Sequence, residues 1–122
     1  MQFINGKVTQ GKKHGRLIGF PTANIIVEDL KIQYGVWATK TLYLGRWLDS
    51  ISYFTQREGL ELFETYIFDF EKQIYNEHIE VKLIQFLRSP VHFETEEKLV
   101  TQLKSDCILT KEILSKLPES KK

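Results

Sequence analysis

Leu60 to Phe70 reads LELFETYIFDF, the longest apolar run in the chain. Its even positions include Leu62, Tyr66 and Phe68, whereas its odd positions include two acidic residues and a threonine. Because successive side chains of a β-strand point to opposite faces, this alternation predicts a strand. Glu64 interrupts the pattern, since it places an ionisable group among apolar neighbours on the even face.

Outward from this run, the first ninety residues consist of short apolar segments separated by turn residues. Gly45–Arg46 has the composition of a turn, and the segments on either side of it predict a hairpin. The segment 78–87 alternates again, with aliphatic residues on one face and charged residues on the other. The candidate strands, all within about residues 3–88, are 3–8, 17–27 (interrupted by Pro21), 34–44, 47–54, 60–70 and 78–87.

From Thr95 onward the spacing of apolar residues becomes helical, which predicts a helix over about residues 95–117. Thr95 suits an N-cap, and Glu96 and Glu97 follow where the helix dipole favours negative charge. A run of strands followed by one helix indicates a mainly β protein. We expect a six-stranded, closed or nearly closed antiparallel barrel with the helix packed outside, as one domain over residues 1–122. The apolar stripe of the helix comprises Leu99, Leu103, Cys107, Leu114 and Leu117.

Composition excludes several classes of protein. The 122 residues carry a formal net charge of +1, which argues against nucleic-acid and membrane-surface partners. Cys107 is the only cysteine, so the chain has neither an internal disulfide nor a cysteine-based zinc site. No signal-peptide core and no run of 18 apolar residues is present, and we therefore expect a cytoplasmic protein.

Residues 6–24, GKVTQGKKHGRLIGFPTAN, hold four of the seven glycines and five basic side chains. Glycines let backbone N–H groups approach an anion, so the segment predicts a phosphate-binding loop. It is not a P-loop, because Lys13 stands where the magnesium-binding Ser or Thr belongs. The residues alone leave a flexible basic hairpin as the alternative.

Within GFPTAN, Thr22 and Asn24 lie two residues apart and point the same way on an extended segment. Their oxygens could join the shell of a hard ion such as Mg²⁺, with phosphates and water supplying the rest. The alternative is a turn in which both side chains bond the local backbone.

Glu64 is a candidate general base, because partial burial on its strand would raise its pKa toward a useful range. The alternatives are a slipped register or a solvated rim position. The three histidines show no metal-ligand spacing, and Cys107 on the helix stripe is read as a small buried hydrophobe.

Together these segments resemble the riboflavin kinase family. The glycine-rich stretch running into GFPTAN is similar to the family's opening signature, and YGVWA at 34–38 is similar to its next strand. FETYIFDFEKQIYNEHIEVKLIQFLRSPVHF at 63–93 is similar to the segment that starts at the family's catalytic glutamate. The match spans essentially the whole chain.

The resemblance implies a six-stranded Greek-key barrel that transfers the γ-phosphate of ATP to riboflavin, giving FMN. It implies Glu64 as the catalytic base, Thr22 and Asn24 as Mg²⁺ ligands, and Arg88 and Phe93 as flavin-binding residues. It further implies a monomer whose partners are ATP and riboflavin, without nucleic acid or membrane. The adenylyltransferase domain of bacterial relatives is missing from this sequence, so we expect no FAD synthesis. The implied nucleotide-binding residues are Gly11, Lys12, Gly15, Arg16, Gly19, Thr22 and Asn24.

One departure from the family bears on activity. The connection between Tyr53 and Leu60 is short and lacks the family's Pro-Thr-Phe, so we expect weaker ATP binding than flavin binding. A degenerate member that binds flavin or nucleotide without turnover is therefore the alternative function.

Overall fold

Alternating, β-branched and aromatic segments of the chain form six strands, and its C-terminal part forms a helix. The computed structural model describes residues 2–9 and 19–118. The elements are β1 Phe3–Lys7, β2 Ala23–Val27, β3 Gly35–Tyr43, β4 Arg46–Arg57, β5 Leu60–Ile67, β6 His78–Arg88 and α1 Glu96–Ser115. The prediction of a mainly β protein with a C-terminal helix is confirmed.

All strand pairs are antiparallel, in the order β1-β6-β3-β4-β5-β2. β6 returns beside β3 after the β3-β4-β5 meander, which is the Greek-key order. The two edge strands, β1 and β2, also meet. The N–H of Thr9, two residues after the end of β1, donates to the Asn24 carbonyl of β2 at 2.7 Å. Gly6 permits this approach, because a Cβ there would collide with Ile25. The sheet is thus a nearly closed barrel, as expected.

The barrel interior combines large apolar side chains with a ladder of hydroxyls. Phe54, Phe63 and Ile25 are almost fully buried there. The hydroxyls form successive hydrogen bonds of 2.7 to 2.9 Å, and each can donate and accept. The ladder therefore satisfies its own buried hydroxyls across three neighbouring strands. The ladder comprises Thr39, Thr41, Ser50, Ser52 and Thr65.

Helix α1 packs on the outer face of the barrel, where Cys107 and Leu114 join a cluster with Val36 and Ile51. Thr95 caps the helix as predicted, since its side chain accepts from Lys98 N–H at 3.1 Å. Buried Asp106 and Thr110 also lie on the stripe that was expected to be apolar. Among the described residues, no helix is long and apolar enough to cross a lipid bilayer.

Several boundaries differ from the expected ones. The second strand begins at Ala23, and β5 ends at Ile67 before a turn. Strand β4 continues to Arg57, so only the two residues 58–59 connect it to β5. Both have positive φ, 52° and 80°, as a tight hairpin between twisted strands requires. Cross-strand pairing thus extends through residues that were expected to be a loop.

Candidate functional site

One row of side chains crosses the outer face of five strands. Asn24 on β2 lies opposite Glu64 on β5, which lies opposite Tyr53 on β4. Val36 on β3 faces both Tyr53 and Arg88, the last residue of β6. Directly paired residues of antiparallel strands point to the same side of a sheet. At about 4.8 Å per strand, the row spans roughly 19 Å from Asn24 to Arg88.

The pattern of buried residues along β5 shows that the Glu64 side chain lies on the outer face of the barrel. Phe63, Thr65 and Ile67 are the deeply buried residues of β5, so the odd positions face the barrel interior. The even positions face outward and are only partly covered. The regular pairing of Glu64 with Asn24 excludes a slipped register.

Glu64 lies in a partly buried, charged setting. Its side chain is 15% exposed, and Oε2 lies 3.0 Å from Nη1 of Arg57. Burial raises the pKa of Glu64, while the Arg57 guanidinium acts in the opposite direction. A raised pKa is the direction that was predicted for a partly buried carboxylate at this position.

Thr22 and Asn24 approach each other at the β2 end of the row. The Thr22 hydroxyl donates to Asn24 Oδ1 at 3.3 Å, so this side-chain bond runs to a side chain rather than to the backbone. Phe20 anchors the preceding segment by an edge contact with Tyr66, 5.4 Å between ring centroids. Asn24 is 7% exposed, and its carbonyl accepts the barrel-closing bond from Thr9. Two side-chain oxygens are therefore held together on an extended segment.

The oxygen pair fits a magnesium ion that arrives with other ligands. Neighbouring oxygens around octahedral Mg²⁺ lie about 3 Å apart, close to the Thr22–Asn24 separation. In the part of the chain that the structure describes, no cluster of three His, Cys, Asp or Glu side chains could hold a metal. Phosphate and water oxygens would have to complete such a shell.

A cavity of about 150 Å³ lies beside Thr22 of this pair, and the inward-facing Thr65 and Ile67 also line it. Pro21 and Thr22 line one side, and residues 70–75, between β5 and β6, line the other. The 70–75 segment belongs to the stretch 63–93 that resembles the family, but the sequence analysis did not place it at the site, because it lacks the alternation of a strand.

Tyr53 is a second residue that the sequence analysis missed. Its hydroxyl is buried and has no hydrogen-bond partner among the described residues. Burial raises the pKa of Tyr53, and Cys107 and Asp106 on the helix add to the effect. The alternation of β4 alone could not have identified it, because only strand pairing places it beside Glu64.

Arg88 and Phe93, the predicted flavin residues, do lie together. The Arg88 guanidinium is 5.9 Å from the centre of the Phe93 ring. Arg88 also forms an ion pair with Asp106 of α1, with Nη2 to Oδ2 at 2.6 Å and Nε to Oδ1 at 3.0 Å. Gln102 donates to the same carboxylate at 3.0 Å. Arg88 therefore also docks the helix, a role that no sequence pattern indicated.

Most residues of the glycine-rich loop lie outside the part of the chain that the structure describes. Gly11, Lys12, Gly15 and Arg16 lie outside the described residues, so their nucleotide-binding role stays a prediction. Gly19 is described, and its φ of +93° lies in the left-handed region that favours glycine. A Cβ at Gly19 would meet nothing within 4 Å, so backbone conformation rather than space requires glycine there.

Comparison with known sequences identifies relatives over nearly the whole chain. The riboflavin kinase family model matches residues 1–114. A bifunctional riboflavin kinase/FMN adenylyltransferase of Listeria monocytogenes is 41% identical, covering 93% of this chain and 38% of that protein. An RNA-binding riboflavin kinase of Bacillus subtilis is 35% identical, covering 87% of this chain and 48% of that protein. The chain thus spans less than half the length of these curated relatives.

Solved structures share the fold. A macrolide-efflux protein from Streptococcus pneumoniae matches with a TM-score of 0.80 and 30% identity, covering 89% of this chain and 38% of that one. A riboflavin kinase from Trypanosoma brucei matches with a TM-score of 0.68 and 22% identity, covering 93% and 80%. At 22% identity, the similarity to the Trypanosoma brucei protein shows a shared fold.

Proposed function

The chain belongs to the riboflavin kinase family, and from that premise we propose that it transfers the γ-phosphate of ATP to the 5′-hydroxyl of riboflavin. The products are FMN and ADP. The observation that carries the proposal is the row from Asn24 to Arg88. It has two side-chain oxygens 3.3 Å apart at one end, an arginine beside an aromatic ring at the other, and a partly buried carboxylate between them.

The nucleotide belongs at the β2 end of the row. The cavity between Thr22 and residues 70–75 reaches Thr22, whose hydroxyl lies 3.3 Å from Asn24 Oδ1, so phosphates placed beside Thr22 would lie near both oxygens. These residues would hold Mg²⁺, which when bound neutralises phosphate charge. Glycine-rich residues 11–19 would cover the phosphates.

The flavin belongs at the other end, toward Phe93. Three strand spacings, about 14 Å, separate Glu64 from Arg88 along the row. Helix α1 covers Val36 in the middle of this span, so the flavin would lie beside the helix, with the ring near Phe93 and the 5′-hydroxyl at Glu64. Because Asp106 engages the Arg88 guanidinium, Arg88 would contact the flavin mainly through its flat face beside Phe93.

Chemistry at Glu64 follows from this placement. The 5′-oxygen attacks the γ-phosphorus and forms a new P–O bond, while the bond from that phosphorus to the β,γ-bridging oxygen breaks. The electron pair leaves with ADP, and Glu64 takes the hydroxyl proton. Phosphoryl transfer depends mostly on positioning and charge neutralisation, which a rigid barrel face supplies.

The direct test is to incubate the purified protein with riboflavin and Mg·ATP and to separate the flavins by chromatography. We expect FMN to accumulate in proportion to enzyme and to require both ATP and Mg²⁺. Omitting Mg²⁺ and, separately, replacing ATP with ADP are the controls. Absence of FMN at saturating substrates would refute the kinase assignment.

The two-residue hairpin turn at 58–59 is the observation behind the alternative, a module that binds flavin or nucleotide without turnover. If the missing loop residues mainly shape the nucleotide site, ATP binds more weakly than riboflavin. Flavin fluorescence quenching and an ATP titration of FMN formation separate the two functions. Quenching by the protein with no FMN at any ATP concentration would support the binding module.

The remaining partners are proposed to be small molecules alone, with the protein monomeric. The net charge of +1 supports this, since a nucleic-acid surface normally carries a basic excess. One relative is named for RNA binding, but this chain covers 48% of it. Gel-shift titration with RNA and light scattering would test both statements.

A further inference from the structure

We infer that Arg57 is a positioning residue that holds the Glu64 carboxylate in its working orientation. The inference rests on the proposed function, because it assigns Arg57 a role in the same reaction. It concerns the β4–β5 hairpin, the part of the chain that departs from the family pattern.

Arg57 reaches Glu64 along the barrel surface rather than directly across it. It pairs with Leu60 at the end of β4, whereas Glu64 pairs with Tyr53 four residues earlier. At about 3.3 Å per residue, the side chains must close a gap of roughly 13 Å along the strand direction. Both lie on the outer face, so the Arg57 side chain passes over the intervening Thr55–Leu62 pair to bring Nη1 within 3.0 Å of Oε2.

In this arrangement the two oxygens of the Glu64 carboxylate have different roles. Arg57 occupies Oε2, which leaves Oε1 to receive the substrate hydroxyl. A guanidinium stays charged at all physiological pH values, so this anchor is constant. An oriented acceptor matters because misplacing a reacting group by about 1 Å can cost two orders of magnitude in rate.

Two other acidic side chains of this region, Asp106 and Glu61, are bound by donors other than Arg57. Asp106, the other buried acid of this face, is bound by Arg88 and Gln102. Glu61, next along β5, accepts from Tyr34 Oη at 2.8 Å and from the Leu30 N–H. Each acid therefore has its own donors, and Arg57 is directed to Glu64.

Stability cannot be the main purpose of this contact. The Arg57 side chain is 44% exposed, against 15% for Glu64, so the pair lies at the solvent edge of the site. An ion pair with one half-exposed partner contributes less to folding than a fully buried pair. Loss of Arg57 should therefore change catalysis without unfolding the barrel.

The experiment measures kcat and KM for Arg57→Gln, Arg57→Lys and the control Arg46→Gln, at the far end of β4. Arg57→Gln is expected to lower kcat by about tenfold, with KM for riboflavin and ATP changed by less than about threefold. Arg57→Lys retains the charge, so its kcat should be lower than that of wild type by no more than about threefold, which is half of the loss on a logarithmic scale. Arg46→Gln should match wild type, and all melting temperatures should stay within about 3 °C.

A double-mutant cycle separates positioning of Glu64 from any independent effect. In the Glu64→Gln background, adding Arg57→Gln should change the residual rate by less than about twofold. A tenfold loss there would overturn the inference, because Arg57 would then act without Glu64. A faster Arg57→Gln enzyme would overturn it too, by showing that the ion pair blocks the base. No FMN from wild type would refute the proposed function and this inference together, whereas active wild type with an unaffected Arg57→Gln would refute this inference alone.

Discussion

Asp106→Asn should both destabilise the protein and loosen its flavin end, because one buried carboxylate joins helix α1 to strand β6. Asp106 is 4% exposed at its side chain and Arg88 is 21% exposed. The carboxylate accepts from Arg88 Nε with both of its oxygens, from Arg88 Nη2 with Oδ2, and from Gln102 with Oδ1. The substitution preserves shape but removes the charge that neutralises Arg88.

The cost can be estimated from these contacts. Removing one partner of a buried ion pair costs about 3–5 kcal/mol, because the remaining charge is left uncompensated. Arg88 keeps some solvent and the asparagine oxygen can still accept one bond, so the lower figure, about 3 kcal/mol, applies. For a chain of this length the entropy of unfolding is about 0.26 kcal/mol per kelvin, so the melting temperature should fall by about 12 °C.

Thermal and urea unfolding by circular dichroism would measure the change, with Asp49→Asn as the matched control. Asp49 pairs with Lys40 at 3.0 Å, but its side chain is 48% exposed, so its loss should cost less than about 1 kcal/mol. Riboflavin affinity should fall in Asp106→Asn and stay unchanged in Asp49→Asn. Equal melting temperatures for the two variants would refute the reasoning from burial.

Three further outcomes are expected. Glu64→Gln should lower FMN formation about 100-fold or more with little change in riboflavin affinity, and equal turnover would remove Glu64 from the mechanism. Alanine at Thr22 or Asn24 should weaken Mg·ATP binding in calorimetry while sparing flavin binding, and unchanged affinity in both variants would exclude them as ligands. Burial raises the pKa of Cys107 from 9.0 to about 11, so the unfolded chain ionises first. Stability should therefore fall as pH rises from about 9 to about 11, and Cys107→Ala should weaken this pH dependence, most clearly near pH 9 where the tyrosines are still protonated.

The secondary structure could be predicted largely from local patterns. Alternation predicted strands at 60–70 and 78–87, where the structure has Leu60–Ile67 and His78–Arg88, and the Thr95 cap with two glutamates predicted the start of the helix. Boundaries were less accurate where pairing decided them, as at the end of β4. Residues 55–57 have no strong strand signal, yet their backbone groups pair with β5 and extend the hairpin.

The candidate site was only partly predictable. Thr22 and Asn24 could be placed together because two residues on an extended segment share a face, and their oxygens are indeed 3.3 Å apart. Glu64 stood out as a charge in an apolar run. Tyr53 carried no such signal, because an aromatic residue on a strand is common, and the pairing of Asp106 with Arg88 was not predicted either.

The sequence by itself therefore determined the fold class, the helix start and the identity of the oxygen-bearing and ionisable candidates, because these depend on neighbours within a few residues. Only the tertiary structure decided that Asn24, Glu64, Tyr53 and Arg88 share one row. It also decided that the Glu64 side of β5 faces outward and that Asp106 takes Arg88 as its partner. The physical reason is strand register: a shift of one residue turns every side chain to the other face, and pairing between distant segments sets that register.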